Sequence, residues 1–266
     1  MSTRRIYAVF LRQMYLLRGN PVRWVQLFVW AVIDIILWGF ITKYLNAVGN
    51  ASFSFVPVLL GAVVLWDFLS RVQQGVTMPF LEDVWAKNFL NIFASPLKVS
   101  EYILGFVVSS VFTSAAGLVA MVVFAGLFFG FSVFMFGALL LPFLLILFLF
   151  GVTLGIIGAA IVLRFGPAAE WLVWPIPTIL SPFVGVFYPV ATLPGWMQVI
   201  SKALPPAYVF EGMRSALMQG TVSLPLLWWG IVLALLYVLL AYGIFFFVYR
   251  VVVRNGLIAR FEAEGP

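Results

Sequence analysis

Long apolar blocks separated by short polar segments make up almost the whole hydrophobic pattern of this chain. Each of six blocks reaches the roughly 20 residues that a helix needs to cross the hydrocarbon core of a bilayer. The blocks cover residues 24–45, 55–76, 102–129, 133–163, 171–190 and 225–249. The pattern predicts an all-α integral membrane protein with six transmembrane helices, in which residues 1–266 form a single transmembrane domain.

The fifth block differs from the others because prolines interrupt it. Pro175, Pro177, Pro182 and Pro189 lie within 171–190. Proline removes a backbone donor and clashes with the preceding turn, so a helix here must kink or break. Broken backbone at membrane depth is tolerated only where protein or water satisfies its polar groups. We therefore expect an irregular element that lines a path.

Residues 189–224, between the fifth and sixth blocks, contain two short amphipathic pieces on the outer side. The pieces cover 193–203 and 207–218, with prolines at the hinge between them. In the second piece, Glu211 and Arg214 are three residues apart and so can form an ion pair. The layout predicts a re-entrant outer hairpin between spans five and six.

Two further amphipathic segments lie on the inner side of the predicted spans. Residues 1–22 contain a candidate interfacial helix over 4–18, whose arginines face away from its apolar side. The inner loop 76–100 contains a second short helix from Glu82 to Phe93, which Ser95-Pro96 terminates. The apolar face of that helix needs a partner, either lipid or a groove on another protein.

Composition narrows the functional classes. The chain is 64% apolar and 9% charged, whereas soluble domains carry roughly 25% charged residues. It contains no His and no Cys, which excludes imidazole chemistry, thiol nucleophiles, disulfides and His/Cys metal sites. No P-loop motif is present to bind ATP. We expect no catalytic residue and no metal site, and a membrane enzyme would have to rely on carboxylates that form no convincing pair.

The distribution of positive charge predicts the orientation. With six spans, 12 of the 15 Lys and Arg residues lie on the side of the two termini, and Lys43, Lys202 and Arg214 lie on the other. This bias places both termini in the cytoplasm. We expect the membrane to be the plasma (inner) membrane. The net charge of +6 then reflects topology and attraction to anionic lipid, and no nucleic-acid partner is expected.

Two carboxylates fall inside apolar blocks, Asp34 in the first and Asp67 in the second. A carboxylate at this depth usually faces protein or water rather than lipid. Both residues can line a pore or relay protons, or Asp67 can simply pair with Arg71, four residues further on. The residues alone leave these alternatives open.

Glycines in the third and fourth blocks indicate where helices can pack closely against each other. Gly126 and Gly130, and likewise Gly151 and Gly155, have the four-residue spacing that allows close helix approach. Such a pair is one candidate for a face between two copies of the chain.

Taken in order along the chain, these features resemble the type-2 ABC exporter permease family, the membrane-spanning subunits of ABC transporters. The resemblance rests on the N-terminal helix, on the inner-loop helix followed by Ser95-Pro96, and on an outer signature. That signature comprises Phe187-Tyr188-Pro189, Leu193-Pro194-Gly195-Trp196, Leu204-Pro205 and Glu211 to Arg214. One departure is that Ser181-Pro182 stands where the family often has Ser-Gly, which affects the local shape of the hairpin.

The resemblance implies the rest of a transport complex. Two permease copies, as a homodimer, would surround a path for an amphipathic, lipid-like, glycan or drug cargo. Two separate ATP-binding cassette subunits would bind ATP and Mg, while this chain holds no cofactor. The residues expected to contact the ATPase are Arg5, Arg12, Glu82, Trp85, Lys87, Phe89 and Phe93. The candidates for the pathway or its gate are Asp34, Asp67, Phe187, Tyr188, Pro189, Trp196, Glu211 and Arg214.

Other functional classes remain as alternatives. A secondary transporter would use Asp34 and Asp67 as proton or cation sites and would work without ATP. An assembly subunit would not transport at all. Loss of transport on Asp34→Asn would favour the secondary transporter, whereas uncoupling by Trp85→Ala with Phe89→Ala would favour the ATP-driven exporter.

Overall fold

The computed structural model describes residues 1–48 and 55–256, and over these residues the chain is helical with no strand. The α-helices are α1 Thr3–Gly19, α2 Pro21–Val48, α3 Phe55–Trp85, α4 Phe89–Ala94, α5 Val99–Phe129, α6 Leu140–Phe165, α7 Glu170–Val173, α8 Ile176–Val184, α9 Gly195–Ala203, α10 Pro205–Gln219 and α11 Leu224–Arg254. Short 3-10 helices cover Val133–Leu139, Pro167–Ala169 and Val190–Thr192.

Within the described residues, five helices are long and apolar enough to cross a membrane, namely α2, α3, α5, α6 and α11. The prediction of an all-α chain is thereby confirmed, and five of the six predicted spans correspond to a long helix. The fifth apolar block is divided, because α7 ends at Val173 and α8 covers only Ile176–Val184. Gly185 follows with φ +67°, a conformation that ends helices and favours glycine. The prolines therefore break this block as expected, and neither piece alone has the length of a span.

Helices α3 and α6 form the centre of the bundle. The buried residues Leu65, Leu69, Val72, Val76 and Phe80 recur along α3 at three- or four-residue steps. This spacing keeps them on one side of the helix. Helix α6 packs between α3 and α11, while α2 and α5 cover other sides of α3.

The small residues of α6 explain how closely it approaches α3. A methyl group added to Gly151 would lie 2.7 Å from the Cβ of Val72, and one added to Gly155 would lie 2.6 Å from the Cβ of Val76. The pair therefore packs two helices of the same chain rather than a face between two copies. Gly130, of the other pair, ends α5 with φ +66°.

Helix α1 packs against the beginning of α5 and also contacts α2. It covers nearly the extent that the sequence predicts, and it buries Val9 and Gln13. We call this end of the bundle, where α1 meets the end of α3 and the start of α5, the N-terminal end. The opposite end, with α9 and α10, is the hairpin end.

The inner-loop helix differs from its sequence prediction. Instead of one helix from Glu82 to Phe93, the long helix α3 continues to Trp85, and a separate helix begins at Phe89. Lys87 lies between them with φ +52°, the one non-glycine residue with positive φ in the described chain. The amphipathic pattern continues across the break because the turn replaces only Ala86 to Asn88, and so periodicity could not reveal it.

The two pieces of the predicted hairpin are present as α9 and α10, joined at Leu204. Helix α10 contacts α3, α6 and α11. It buries Phe210 and Met213, and the Phe210 ring lies 6.0 Å from that of Trp66 on α3. The second half of the hairpin is therefore packed into the bundle rather than laid on its surface.

Candidate functional site

An ion pair at the N-terminal end joins three helices. Asp83 of α3 is fully buried and accepts a hydrogen bond from Arg12 Nη1 at 2.8 Å. The second guanidinium nitrogen of Arg12 also contacts this carboxylate, and the Tyr102 hydroxyl of α5 donates to it at 2.7 Å. Hydrogen bonding to Asp83 raises the pKa of Arg12 above its ordinary value, although burial opposes the shift. Asp83 thus connects α1, α3 and α5 through charged and polar contacts.

A second carboxylate fastens the start of α1 to the start of α5. Glu101 accepts hydrogen bonds from the Ser2 backbone N–H at 2.6 Å and from Arg5 Nη1 at 3.3 Å. It also accepts from the Lys98 backbone N–H at 3.0 Å, which caps α5. Together these contacts hold the amino-terminal residues against the bundle.

A groove of about 420 Å³ opens between α1 and α4 at this end. Two of the predicted ATPase-contact residues, Arg5 and Arg12, line it, together with Asn91, Ile92 and Pro96. We call it the α1–α4 groove. Its wall combines guanidinium groups, amides and apolar carbons, so it suits a protein partner more than an isolated ion.

The other predicted contact residues lie elsewhere. Glu82 pairs with Arg23 of α2 at 3.0 Å, and Trp85 Nε1 donates to Glu170 of α7 at 3.0 Å. Lys87 lies in the turn between α3 and α4. The side chains of Phe89 and Phe93 lie outside the described part of the chain.

A larger cavity, of about 660 Å³, runs between α1, α2, α3 and α5 and reaches Trp174. Both predicted membrane carboxylates, Asp34 and Asp67, line it. Arg71 Nε lies 2.5 Å from Asp67 Oδ2, so the ion pair expected from the four-residue spacing is confirmed. We call this space the polar cavity.

At the hairpin end, Glu211 and Arg214 form the expected ion pair at 2.7 Å. The same Glu211 oxygen accepts from the Val190 backbone N–H at 2.8 Å. Arg214 is buried and donates to the Val186 carbonyl at 3.3 Å. The pair therefore ties the loop 186–190 to α10.

The aromatic residues of the outer signature make separate local contacts. Phe187 stacks on Trp38 of α2 with ring centroids 4.4 Å apart, and the Tyr188 hydroxyl donates to the Pro182 carbonyl at 2.8 Å. Pro189 precedes the 3-10 helix Val190–Thr192. Trp196 meets Phe183 edge-on at 6.1 Å. The predicted pathway residues thus divide between the polar cavity and the hairpin end.

Sequence reasoning missed Asp83, Glu101 and Tyr102 as connecting residues. Asp83 continues the buried series of α3 three residues after Phe80, so helical periodicity does place it on the inner face. Glu101 stands three residues after Lys98, the spacing of a capping box, although lysine is an unusual N-cap. No local signal pairs Asp83 with Arg12, because that contact joins residues 71 apart.

Comparison with known families gives a match over most of the chain. Residues 5–218 match the ABC-2 type transporter family. The matched range runs from the third residue of α1 to the penultimate residue of α10, and so contains the α1–α4 groove, the polar cavity and the Glu211–Arg214 pair. No curated protein sequence matches the chain.

Proposed function

Because the chain belongs to the ABC-2 type transporter family and is a permease subunit of an ABC transporter, we propose that it provides the path for ATP-driven export of an amphipathic cargo. The cargo classes that suit this role are a lipid-like molecule, a glycan or a drug. The hydrolysing subunit is a separate chain, since permeases of this family generally pair with an ATP-binding cassette subunit.

The α1–α4 groove is the observation that supports coupling to this subunit most directly. A partner element seated there touches α1 and α4, and α1 is linked through Asp83 to the end of α3 and the start of α5. A shift of the partner would therefore be transmitted to two long helices. We propose that two ATPase copies, each with ATP and Mg, dock at this end of a permease homodimer.

We also propose that the divided fifth block crosses the bilayer. Its first piece begins beside Trp85 at the N-terminal end, where Glu170 accepts the indole hydrogen bond. Its far end carries Phe187, which stacks on Trp38 well along α2. The intervening segment thus runs alongside the bundle and supplies a sixth crossing, with both termini cytoplasmic in the plasma membrane. On this arrangement α1 lies in the inner interface and α9–α10 form a re-entrant outer hairpin.

The first experiment is affinity purification of the tagged chain from native membranes in mild detergent. We expect a stoichiometric ATP-binding cassette subunit and vanadate-sensitive ATP hydrolysis in the eluate. Recovery of the folded chain alone would contradict ATP-driven export.

The contact surface can be mapped because the chain contains no Cys. An Asn91→Cys variant carrying a benzophenone maleimide should cross-link to the ATPase, since Asn91 is exposed at the groove. The matched control is Ala191→Cys, which is exposed at the hairpin end and should give no such product. Equal cross-linking from both positions would reject docking at the groove.

One observation favours the second candidate, a secondary transporter. The carboxylate of Asp34 forms no ion pair or hydrogen bond with any described residue. A proton-coupled mechanism predicts transport that survives ATP depletion, stops on dissipation of the proton gradient and disappears in Asp34→Asn. Transport that depends on ATP and is retained in Asp34→Asn would exclude a secondary transporter.

A further inference from the structure

The polar cavity follows one stripe of α3 from the N-terminal end into the middle of the bundle. Asp67, Arg71, Gln74, Met78 and Glu82 line it at steps of three or four residues. With a rise of about 1.5 Å per residue, the stripe extends for about 22 Å. Asp34 faces the same cavity from α2, thirteen residues after the start of that helix at Pro21.

The charges that line the cavity do not cancel. Asp67 is paired with Arg71, and Glu82 is paired with Arg23. The Asp34 carboxylate is left with no ion pair among the described residues. A carboxylate in the middle of an apolar helix is costly unless a cation or water accompanies it. The five charged side chains that line the cavity, three carboxylates and two guanidinium groups, therefore sum to one net negative charge in their ionised forms.

Two polar atoms in the cavity wall also lack partners. Gln13 is 4% exposed and lines the cavity, yet its Nε2 donates to no described group. Glu82 also lines the cavity, and its Oε2 accepts no hydrogen bond from the described residues. Both atoms are fully buried behind the cavity wall, so their missing hydrogen bonds do not bear on what occupies the cavity.

Apart from the hydroxyl groups of Ser109 and Thr113, the remaining wall is apolar and aromatic. Met14, Leu17 and Met78 line it, together with the indoles of Trp30 and Trp174. A volume of about 660 Å³ lies in the range that accommodates a small organic molecule and far exceeds one dehydrated ion. Indole faces attract organic cations, and methionine side chains adapt to irregular apolar groups.

From the position of Asp34, the volume and the aromatic wall of this one cavity, we propose that it binds an amphipathic organic monocation. The positive group would lie at Asp34 and the apolar part against Trp30 and Trp174. This names a cargo class for the export function proposed above and rests on it. Binding is nevertheless measurable without ATP, so a failure of export and a failure of this site give different results.

The test uses the full chain in nanodiscs of zwitterionic lipid, with radiolabelled decyltrimethylammonium as the probe and empty nanodiscs to subtract partitioning into lipid. We expect saturable binding that unlabelled probe displaces, whereas decanoate and decyl glucoside, of the same chain length, do not. Asp34→Asn should weaken binding at least tenfold, while Asp34→Glu keeps the charge and should retain most of it.

Matched controls separate this site from general charge effects. Glu170→Gln removes one carboxylate outside the cavity and should leave probe binding unchanged, since a glutamine oxygen can still accept from Trp85. Equal displacement of the labelled probe by all three compounds, which share a ten-carbon chain, would overturn the proposal in favour of an apolar site. Stronger displacement by sodium chloride than by choline chloride at equal ionic strength would overturn it in favour of an inorganic cation. Unchanged binding in folded Asp34→Asn would remove Asp34 from the site.

Discussion

At the N-terminal end, Asp83 joins α3 to α1 and α5. It is fully buried, and its two recorded side-chain partners, Arg12 and Tyr102, come from different helices. Removing a partner of a buried carboxylate leaves a charge that water cannot reach, and this costs more than the contact itself contributes. Asp83 therefore contributes to stability and also lies on the route by which we propose that the ATPase acts on the bundle.

We expect Arg12→Ala to lower the stability of the purified protein by about 1–3 kcal/mol. The effect is below that of a fully buried pair because the Arg12 side chain is 37% exposed and water partly screens the charge. The apparent Tm should fall by about 2–4 °C per kcal/mol. Arg18→Ala, which removes an exposed cation from the same helix, is the control and should change the Tm little. Equal shifts in both variants would show that the ion pair contributes nothing specific.

Glu211 plays a comparable part at the hairpin end. We expect Glu211→Ala to release the loop 186–190, because the Val190 N–H loses its acceptor and buried Arg214 loses its counter-ion. The cost is about 1–2 kcal/mol, since the Glu211 side chain is 44% exposed. Limited proteolysis should cut the loop several times faster than in wild type. Lys202→Ala, an exposed substitution on α9, should leave the cleavage rate unchanged. A similar cleavage rate in both variants would show that Glu211 does not hold the loop 186–190.

At the scale of elements, Gly151 and Gly155 allow α6 to approach α3 closely. We expect Gly151→Leu to prevent normal packing, because even a methyl group there lies 2.7 Å from the Val72 side chain. Overpacking of this kind costs about 1–3 kcal/mol or more. Yield of monodisperse protein and apparent Tm should both fall. Gly243→Leu adds the same group on α11 with no atom within 4 Å of its Cβ, so it should be tolerated.

The elements also show which structural features can be predicted from sequence patterns. Apolar length and the positions of proline predict the five long helices, the division of the fifth block and the two helices α9 and α10. Periodicity cannot place the turn at Lys87, because the apolar repeat continues on both sides of it. Nor can it show that Gly151 and Gly155 face α3 instead of another copy, since both contacts require the same small residues. Asp67 and Arg71 are predictable as a pair because they are neighbours on one helix. Arg12 and Asp83 meet only because the three helices α1, α3 and α5 pack together.

Charged clusters lie at both ends of the whole molecule and along the polar cavity. The number of times the chain crosses the bilayer decides whether the two ends lie on opposite sides of the membrane. Five long helices alone would place the segment before α7 and the hairpin on the same side. A crossing by the divided fifth block places them on opposite sides. The lengths of α7 and α8 do not decide between these topologies, but the side on which single residues become accessible does.

We expect the divided block to cross, and the cysteine-free sequence allows this to be measured with single substitutions. In intact cells a membrane-impermeant maleimide should label Ala191→Cys, whereas Ala168→Cys and Asn91→Cys should react only after permeabilisation. All three positions are exposed in the structure, so a difference in labelling reports the side of the membrane rather than burial. Labelling of Ala168→Cys and Ala191→Cys from one side would mean five crossings. Labelling of Asn91→Cys and Ala168→Cys but not of Ala191→Cys in intact cells would mean the reverse orientation, and would place the α1–α4 groove where no cytoplasmic ATPase can reach it.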